Sequence, residues 1–320
     1  MKDNKLYSYI FEKLSFYINI NLNFIIIPRK MIKYLLILLF PLFASGQVQV
    51  EEIKALEGLG NIYVQQNKWE EAGLIFEQLL EIDSKNANYH YKYGEALGRN
   101  ALNNNKIVAL FMMNAIKEEF LIAAKLDTTH IDSRWALVVF YTELPGIIGG
   151  SIKKALTYTE QLQILSPVDG YLSKGYVYEY DNEIELAEKN YKKAIEVGGS
   201  ITCYNKMISF YKKNNNPKKA IFIIEEANKK LDINILNYRL GEVSAMFNLE
   251  LDKGKKGLIK YIENFSSKDE VSLEWAYLRL AQIYKHEANK VNAIKWINNT
   301  LELQPEFKLA LKEKKLILNM

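Results

Sequence analysis

The sequence predicts an all-α protein, a solenoid in which antiparallel helix pairs are stacked one after another. Three observations lead to this fold class. A pattern of small and aromatic residues recurs from Ile53 to Pro305 with a period of about 34 residues. The chain of 320 residues is 49% hydrophobic and 12% aromatic, which is enough to bury a large core. It also contains only 6 prolines, which leaves room for long helices.

The clearest copy of the pattern lies between Val168 and Ile201. It predicts one helix over about residues 170–180 and a second that begins near Glu183 and ends at Gly198-Gly199. Gly175 and Ala187 lie in the middle of these helices, where small residues allow the two backbones to approach closely. A single helical hairpin cannot cover its own apolar face, so each pair needs neighbours.

This order of small residue, aromatic, Ala, aromatic and Ala resembles the tetratricopeptide repeat, or TPR. Other copies fit the same frame: Leu59, Gly60, Tyr63, Ala72 and Phe76; Met207, Ile208, Tyr211, Ala220, Ile224 and Ala227; and Leu280, Ala281, Tyr284, Ala293 and Pro305. The resemblance implies a right-handed superhelix of about seven hairpins over residues 47–305. It also implies that the first helix of each pair lines a concave, protein-binding face.

Three repeats depart from the pattern. The second carries about ten extra residues around Asn103 to Met113, which predicts a longer second helix. The third contains the segment PGIIGGS, from Pro145 to Ser151, between its helices. The sixth is degenerate, and we place its register four residues late, at Gly257 and Tyr261. Residues 306–320 are predicted to form an amphipathic helix that caps the array.

The N-terminal region lacks the repeat spacing. Residues 31–46 have the layout of a secretory signal peptide: Lys33, an apolar run from Tyr34 to Phe43, and small residues at Ala44 and Gly46 before a cleavage point at Gln47. We interpret residues 1–30 as an extension caused by a misassigned start codon upstream of Met31. This interpretation predicts an exported bacterial protein of the periplasm or cell envelope. The alternative is an uncleaved N-terminal membrane anchor.

Charge argues against nucleic acid as a partner. Residues 1–46 hold six of the 42 basic and two of the 38 acidic residues, which leaves 36 of each in the repeat region. The repeat region is therefore formally neutral and lacks the basic stripe that phosphate binding requires.

No catalytic or metal-binding motif emerges from the sequence. His90, His130 and His286 lie far apart, and Cys203 is the single cysteine. We therefore expect no catalytic residue, no metal and no cofactor. The glycine-rich segment leaves two alternatives open: an anion-binding loop, or a shaped connection capped by Ser151, which we favour because the segment lacks the features of a P-loop. Its residues of interest are Pro145, Gly146, Gly149 and Gly150.

In each first helix we take as reference the position that corresponds to Gly175. The candidate partner-binding residues lie one turn before or immediately after this position, and Tyr180 lies one turn further on. They are Asn61, Tyr91, Trp135, Tyr176, Tyr180 and Tyr238. Aromatic side chains in a groove suit an extended peptide or a partner helix, although we expect some of these tyrosines to pack against the next repeat. The sequence thus favours a non-catalytic scaffold that binds a protein or peptide. The alternative is a membrane-tethered structural or assembly subunit.

Overall fold

The computed structural model describes residues 46–103 and 106–320. Within these ranges it contains fifteen α-helices and one 3-10 turn, and no strand is assigned. The predicted all-α class is therefore confirmed. The described residues fall into two compact units, one ending at Lys85 and the other spanning Asn86 to Met320. Residues 1–30, and all of the predicted signal peptide except Gly46, lie outside the described residues.

The first unit contains one helical hairpin. Helix α1 (Gly46–Gln65) and helix α2 (Trp69–Ile82) are joined by a short turn in which Asn67 adopts a φ of 56°. Gly60 faces the ring of Phe76, and a Cβ added to this glycine would lie 2.9 Å from the ring. The hairpin thus uses the small-to-aromatic contact that the repeat pattern predicts.

The second unit continues as helix pairs, followed by a single final helix. In each pair the earlier member is called the first helix and the later one the second helix. The pairs are α3 (Ala87–Asn103) with α4 (Lys106–Leu126), α5 (Ile131–Glu143) with α6 (Ile152–Leu165), α7 (Pro167–Tyr180) with α8 (Ile184–Gly198), α9 (Ile201–Lys213) with α10 (Pro217–Leu231), α11 (Asn234–Phe247) with α12 (Leu251–Glu263), and α13 (Leu273–His286) with α14 (Lys290–Leu303); the last helix is α15 (Lys308–Leu318).

The pair α7 and α8 has the geometry expected from its sequence. Helix α7 begins three residues earlier than predicted, because Pro167 occupies the first turn and the Ser166 hydroxyl accepts a hydrogen bond from the backbone N–H of Asp169. Helix α8 ends at Gly198, and the next residue, Gly199, caps it with a left-handed φ of 58°. Between these ends, Ala187 is fully buried at the helix crossing.

The insertion in the second repeat lengthens both helices of its pair. Helix α3 has 17 residues and α4 has 21, whereas α6 has 14. The prediction of a longer second helix is confirmed, but the first helix has also been extended.

The predicted register of the sixth repeat is wrong. A Cβ added to Gly241 of α11 would meet Leu258, just as one added to Gly175 would meet Tyr191. Leu258 follows Gly241 by 17 residues and Tyr191 follows Gly175 by 16, so the drift is one residue rather than four. The cause is local, because α11 continues one residue further beyond its glycine than α7 does.

The predicted cap is present at the C-terminal end of the second unit. Helix α15 packs its apolar side, including Ala310 and Ile317, on α13 and α14. Among the helices described here, none is both long and apolar enough to span a bilayer.

Candidate protein-binding surface on the first helices

Helices α5 and α7 are joined by hydrogen bonds from two tyrosines to one glutamate. The Tyr176 hydroxyl donates to Glu143 Oε1 at 2.5 Å, and the Tyr180 hydroxyl donates to the backbone carbonyl oxygen of Glu143 at 3.1 Å. Burial raises the pKa of Tyr176, and the hydrogen bond to Glu143 raises it further. The two hydroxyl groups thus donate hydrogen bonds that hold the ends of α5 and α7 together.

Trp135 is fixed to the same neighbouring helix. Its indole Nε1 donates to Asp169 Oδ1 in α7 at 2.8 Å. Asp169 also accepts a hydrogen bond from the Ser166 hydroxyl at 2.5 Å. Trp135 is half-buried and packs against two clusters of buried residues. Its polar group is thus satisfied within the chain, and only part of the ring remains available to a partner.

The α5–α7 surface also exposes apolar groups. Tyr180 is 52% exposed and Val139 is 36% exposed. Val139 follows Val138 in α5, and Tyr176 follows Gly175 in α7. Val138 and Gly175 are the reference positions of these two helices, so Val139 and Tyr176 occupy equivalent places. We call the set Trp135, Val139, Tyr176 and Tyr180 the α5–α7 aromatic surface. It combines exposed apolar atoms with side chains whose polar ends are already held.

Asn61 and Tyr91 are placed differently from this set. Asn61 is exposed on α1 in the first unit. Tyr91 is half-buried in α3, with its ring centroid 6.1 Å from that of Phe120 and 5.4 Å from that of His130. Burial raises the pKa of Tyr91. Tyr91 therefore packs mainly within its own repeat and the next.

Tyr238 differs from the expectation of a groove anchor. It is only 2% exposed, and its ring centroid lies 5.5 Å from that of Tyr261 in the core. Burial raises the pKa of the Tyr261 hydroxyl to about 12. Tyr238 was selected because it lies one turn before Gly241, but in the structure it belongs to the buried core. The edge of Tyr238 contributes to a shallow pocket, lined by Tyr238, Glu242, Glu270, Val271, Ser272 and Trp275.

A cluster of charges joins α9, α11 and α13. The buried Glu242 carboxylate lies 2.6 Å from Lys212 Nζ, 3.4 Å from Arg239 Nη1 and 3.6 Å from Arg279 Nη2. Burial alone would raise the pKa of Glu242, but the hydrogen bond from Lys212 and the nearby cations outweigh burial and lower it. Glu242 is therefore an ionised link between three first helices.

The glycine-rich connection is a closed turn. Gly146–Ile148 form a 3-10 turn, and Gly149 adopts a φ of 108°, which favours glycine. The backbone N–H groups of residues 148 and 150 donate to the Pro145 carbonyl oxygen, that of Gly149 donates to Gly146, and that of Ser151 donates to Tyr141 at 2.7 Å. These N–H groups are not free to hold an anion. The Ser151 hydroxyl caps α6, as predicted.

The histidines have structural contacts. His90 Nδ1 lies 2.6 Å from Glu119, His130 caps α5 by accepting from the Ser133 N–H, and His286 Nε2 lies 2.9 Å from the Ala245 carbonyl oxygen. Cys203 is fully buried. Across the part of the chain that the structure describes, no group of three or more His, Cys, Asp or Glu side chains is placed to hold a metal ion.

Sequence reasoning missed the acidic partners of the first helices. Trp135 and Asp169 are 34 residues apart, as are Glu179 and Lys213, which form an ion pair at 2.9 Å. This spacing equals the repeat period, so each partner lies on the next first helix. Pairing complementary side chains one period apart would have found both contacts.

The fold and its first-helix surface define a class, the all-α helical repeat proteins. Two family models match the sequence: "TPR repeat" over residues 60–100 and "Tetratricopeptide repeat" over residues 168–197. The chain therefore contains tetratricopeptide repeats in these two segments. No curated protein sequence matches it.

Several solved structures are similar to this chain. Yeast Tom70 has a TM-score of 0.55 at 15% identity, over 78% of this chain and 51% of the Tom70 chain. A tetratricopeptide repeat protein from Parabacteroides merdae has a TM-score of 0.49 at 15% identity, over 84% of this chain and 99% of that one. YrrB, described as a TPR protein with an unusual peptide-binding site, has a TM-score of 0.42 at 18% identity, over 62% of this chain and 99% of its own. At 15% identity the likeness to Tom70 shows the fold alone. TPR repeats serve in general as scaffolds for protein interactions.

Proposed function

We propose that this protein is a non-catalytic scaffold of the bacterial cell envelope that binds a segment of a partner protein on the α5–α7 aromatic surface. The observation that carries the proposal is the combination of exposed apolar atoms and fixed polar ends at this surface. Tyr180 is 52% exposed while its hydroxyl is held by Glu143. Tyrosine and tryptophan dominate the binding energy of many protein interfaces.

Preorganisation favours binding at this place. A flexible aromatic side chain loses rotamer freedom when a partner immobilises it. Here the hydrogen bonds from Tyr176 and Tyr180 to Glu143, and from Trp135 to Asp169, restrict the rings before a partner arrives. Little ordering is then required on association, and more of the apolar contact energy contributes to affinity.

The same hydrogen bonds restrict the chemistry of the partner. Because Trp135 Nε1 and the Tyr176 hydroxyl already donate within the chain, the surface offers ring faces rather than free donors. A partner segment with an aliphatic or aromatic anchor side chain fits this surface better than one that depends on acidic groups. An extended peptide or a helix can supply such anchors.

Site-specific photocrosslinking tests the proposed surface. Benzoylphenylalanine replaces Tyr180 in the native host, and the crosslinked protein is identified by mass spectrometry. The matched control is the same substitution at Phe222, which is 65% exposed on the second helix α10. We expect one discrete adduct from position 180 and none from position 222.

The identified partner then permits a direct affinity measurement. Tyr180→Ala should weaken binding of the purified partner by about tenfold or more, since exposed aromatic anchors are typical hot spots. Ile164→Ala, on the second helix α6 and 84% exposed in the native chain, is the control. Equal affinity of the two variants would remove the α5–α7 aromatic surface from consideration.

Export is the second part of the proposal, motivated by the signal-like residues 31–46. Cell fractionation with N-terminal sequencing should recover a soluble envelope protein that begins near Gln47. A membrane-bound product that retains residues 1–46 would contradict export and favour the tethered-subunit alternative.

A further inference from the structure

Helix α15 stands in the position of a first helix. Its buried residues Ala310 and Ile317 follow the buried residues Ala276 and Ile283 of α13 by 34 residues each. Like the first helices before it, α15 packs against the preceding second helix, α14, and the preceding first helix, α13. The repeat frame therefore extends through α15.

One face of α13 is covered by α14, the second helix of the same pair. Tyr277 lies with its ring centroid 5.3 Å from that of Trp296 in α14, and Ala281 is fully buried. Tyr284 also packs, partly buried, against this cluster. These three residues form a stripe along α13 that α14 covers.

The equivalent stripe on α15 is exposed. One period after Tyr277, Ala281 and Tyr284 come Leu311, Lys315 and Leu318. Leu311 is 41% exposed and Leu318 is 50% exposed. Leu311 and Leu318 thus lie on the same face of the helix, with Lys315 between them. In each complete pair, the second helix covers this face. We call Leu311, Lys315 and Leu318 the α15 stripe.

The charge around the α15 stripe is positive and uncompensated. Helix α15 carries Lys308, Lys312, Lys314 and Lys315, and among the described residues none of them forms an ion pair. Its one carboxylate, Glu313, is buried and already bonded by Lys285 and Gln282. A surface that covers the stripe must therefore supply apolar side chains and a negative charge for Lys315.

We propose that the α15 stripe binds an amphipathic helix of a partner protein, with apolar residues against Leu311 and Leu318 and a carboxylate opposite Lys315. This helix takes the place of a second helix. The inference is independent of the proposed function, because the α5–α7 aromatic surface plays no part in it.

Two other occupants fit the observations less well. A second copy of α15 would bring its lysines against the same lysines, which is unfavourable. A bilayer needs one continuous apolar face. On α15, however, the exposed Lys308, Lys312 and Lys315 lie on the outward side between two separate leucine flanks, Leu309 with Leu316 and Leu311 with Leu318.

A pair of peptides tests the proposal with the whole chain of 320 residues. Each is a lactam-constrained helix of about 14 residues, long enough to cover α15 and constrained because short helices are marginal in water. Both carry leucines at the same i, i+4, i+7 spacing, but one has glutamates beside the leucines and the other has lysines. Fluorescence anisotropy should show binding of the acidic peptide and at least about tenfold weaker binding of the basic one.

Two variants assign the binding to the stripe. The double variant Lys314→Glu and Lys315→Glu should reverse the preference between the two peptides, which a merely unfolded α15 would not do. Leu311→Ser with Leu318→Ser should abolish binding of both, while Leu303→Ser, at a residue of α14 that is 53% exposed, should leave it unchanged.

Three outcomes would overturn the proposal: no binding of the acidic peptide, equal binding of both peptides, or an unchanged preference in the charge-reversal variant. Phosphatidylcholine vesicles containing phosphatidylserine are tested in parallel. Vesicle binding that depends on Leu311 and Leu318, without peptide binding, would assign the stripe to a lipid surface instead. Concentration-dependent dimerisation abolished by the serine variant would assign it to a second copy.

Discussion

Gly175 and Tyr191 make the closest small-to-aromatic contact of the α7–α8 pair. A Cβ added to Gly175 would lie 2.6 Å from the Tyr191 ring atoms Cδ1 and Cε1, and Tyr191 is only 1% exposed. The Tyr191 hydroxyl is also fixed, donating to Glu179 at 2.8 Å. The ring therefore has no free space into which it can move.

Gly175→Ala should destabilise the protein by about 1–3 kcal/mol, because the added methyl group overpacks this crossing. Gly98→Ala is the matched control, since its Cβ would meet only Ile116, at an ordinary 3.8 Å. There the higher helix propensity of alanine should stabilise α3 by about 0.5–1 kcal/mol. Urea denaturation measures both changes. A neutral Gly175→Ala would contradict the contact.

The ionisation of Glu188 makes the stability of the fold depend on pH. Burial alone would raise the pKa of Glu188, but hydrogen bonds from Lys192, Lys219 and Tyr211 outweigh it and lower the pKa from 4.5 to about 2. Because the folded pKa is below the unfolded one, this stabilisation is complete above about pH 4.5 and is lost as the pH falls towards 2.

Glu188→Gln should therefore be less stable than the native chain at pH 7, by no more than about 3 kcal/mol. The difference should shrink as the pH is lowered through the same window. Chemical denaturation at a series of pH values measures it. A difference that is constant from pH 7 to pH 2 would show that the ionised carboxylate of Glu188 does not provide this stability.

Glu242→Gln removes the one negative charge shared by Lys212, Arg239 and Arg279. Breaking a buried ion pair leaves uncompensated charge, so the variant should lose about 2–4 kcal/mol of stability. Glu225→Gln breaks an exposed pair with Lys253 and should cost less than about 1 kcal/mol. Thermal denaturation compares the two, and equal losses would contradict the shared role of Glu242.

Gly150 tests the glycine-rich turn. A Cβ at Gly150 would lie 1.6 Å from the Leu144 carbonyl oxygen, whereas one at Gly146 would meet nothing within 4 Å. Gly150→Ala should therefore cost about 2–4 kcal/mol and disturb the start of α6, while Gly146→Ala should stay within about 0.5 kcal/mol of the native chain. Hydrogen exchange at Ser151 and Ile152 reports the local change, and equal protection in both variants would contradict it.

The sequence predicts the helix pairs because their cause is local and repeated. Gly175, Ala187 and Tyr191 determine how the two helices of the pair cross, and other copies of the repeat reproduce this crossing. The fold class and the α7–α8 pair could therefore be predicted directly from the sequence. The register at Gly241 could not, because it depends on one additional helical residue before the turn, and the pattern carries no signal for it. Tyr238 was expected to face the groove, but its ring packs against Tyr261 and is buried.

The candidate site was predictable only in part. Trp135, Tyr176 and Tyr180 lie on neighbouring first helices, as assigned, and each donates a hydrogen bond to the other helix, to Asp169 or to Glu143. Their fixed polar ends were not foreseen, because a hydrogen bond between repeats depends on the distance between two helices as well as on residue type. The partner-binding role of these residues stays a prediction.

The contacts between successive first helices also bear on how such a chain can evolve. Three of these contacts differ in their partners: the Trp135 indole donates to Asp169, Lys213 pairs with Glu179, and the Glu242 carboxylate is shared by three cations. Repeats with identical junctions can be duplicated, deleted or exchanged freely. Here a shuffled array would place donors against donors or leave a buried carboxylate without a cation. We therefore expect repeat shuffling in the second unit to cost stability even where every hairpin still folds.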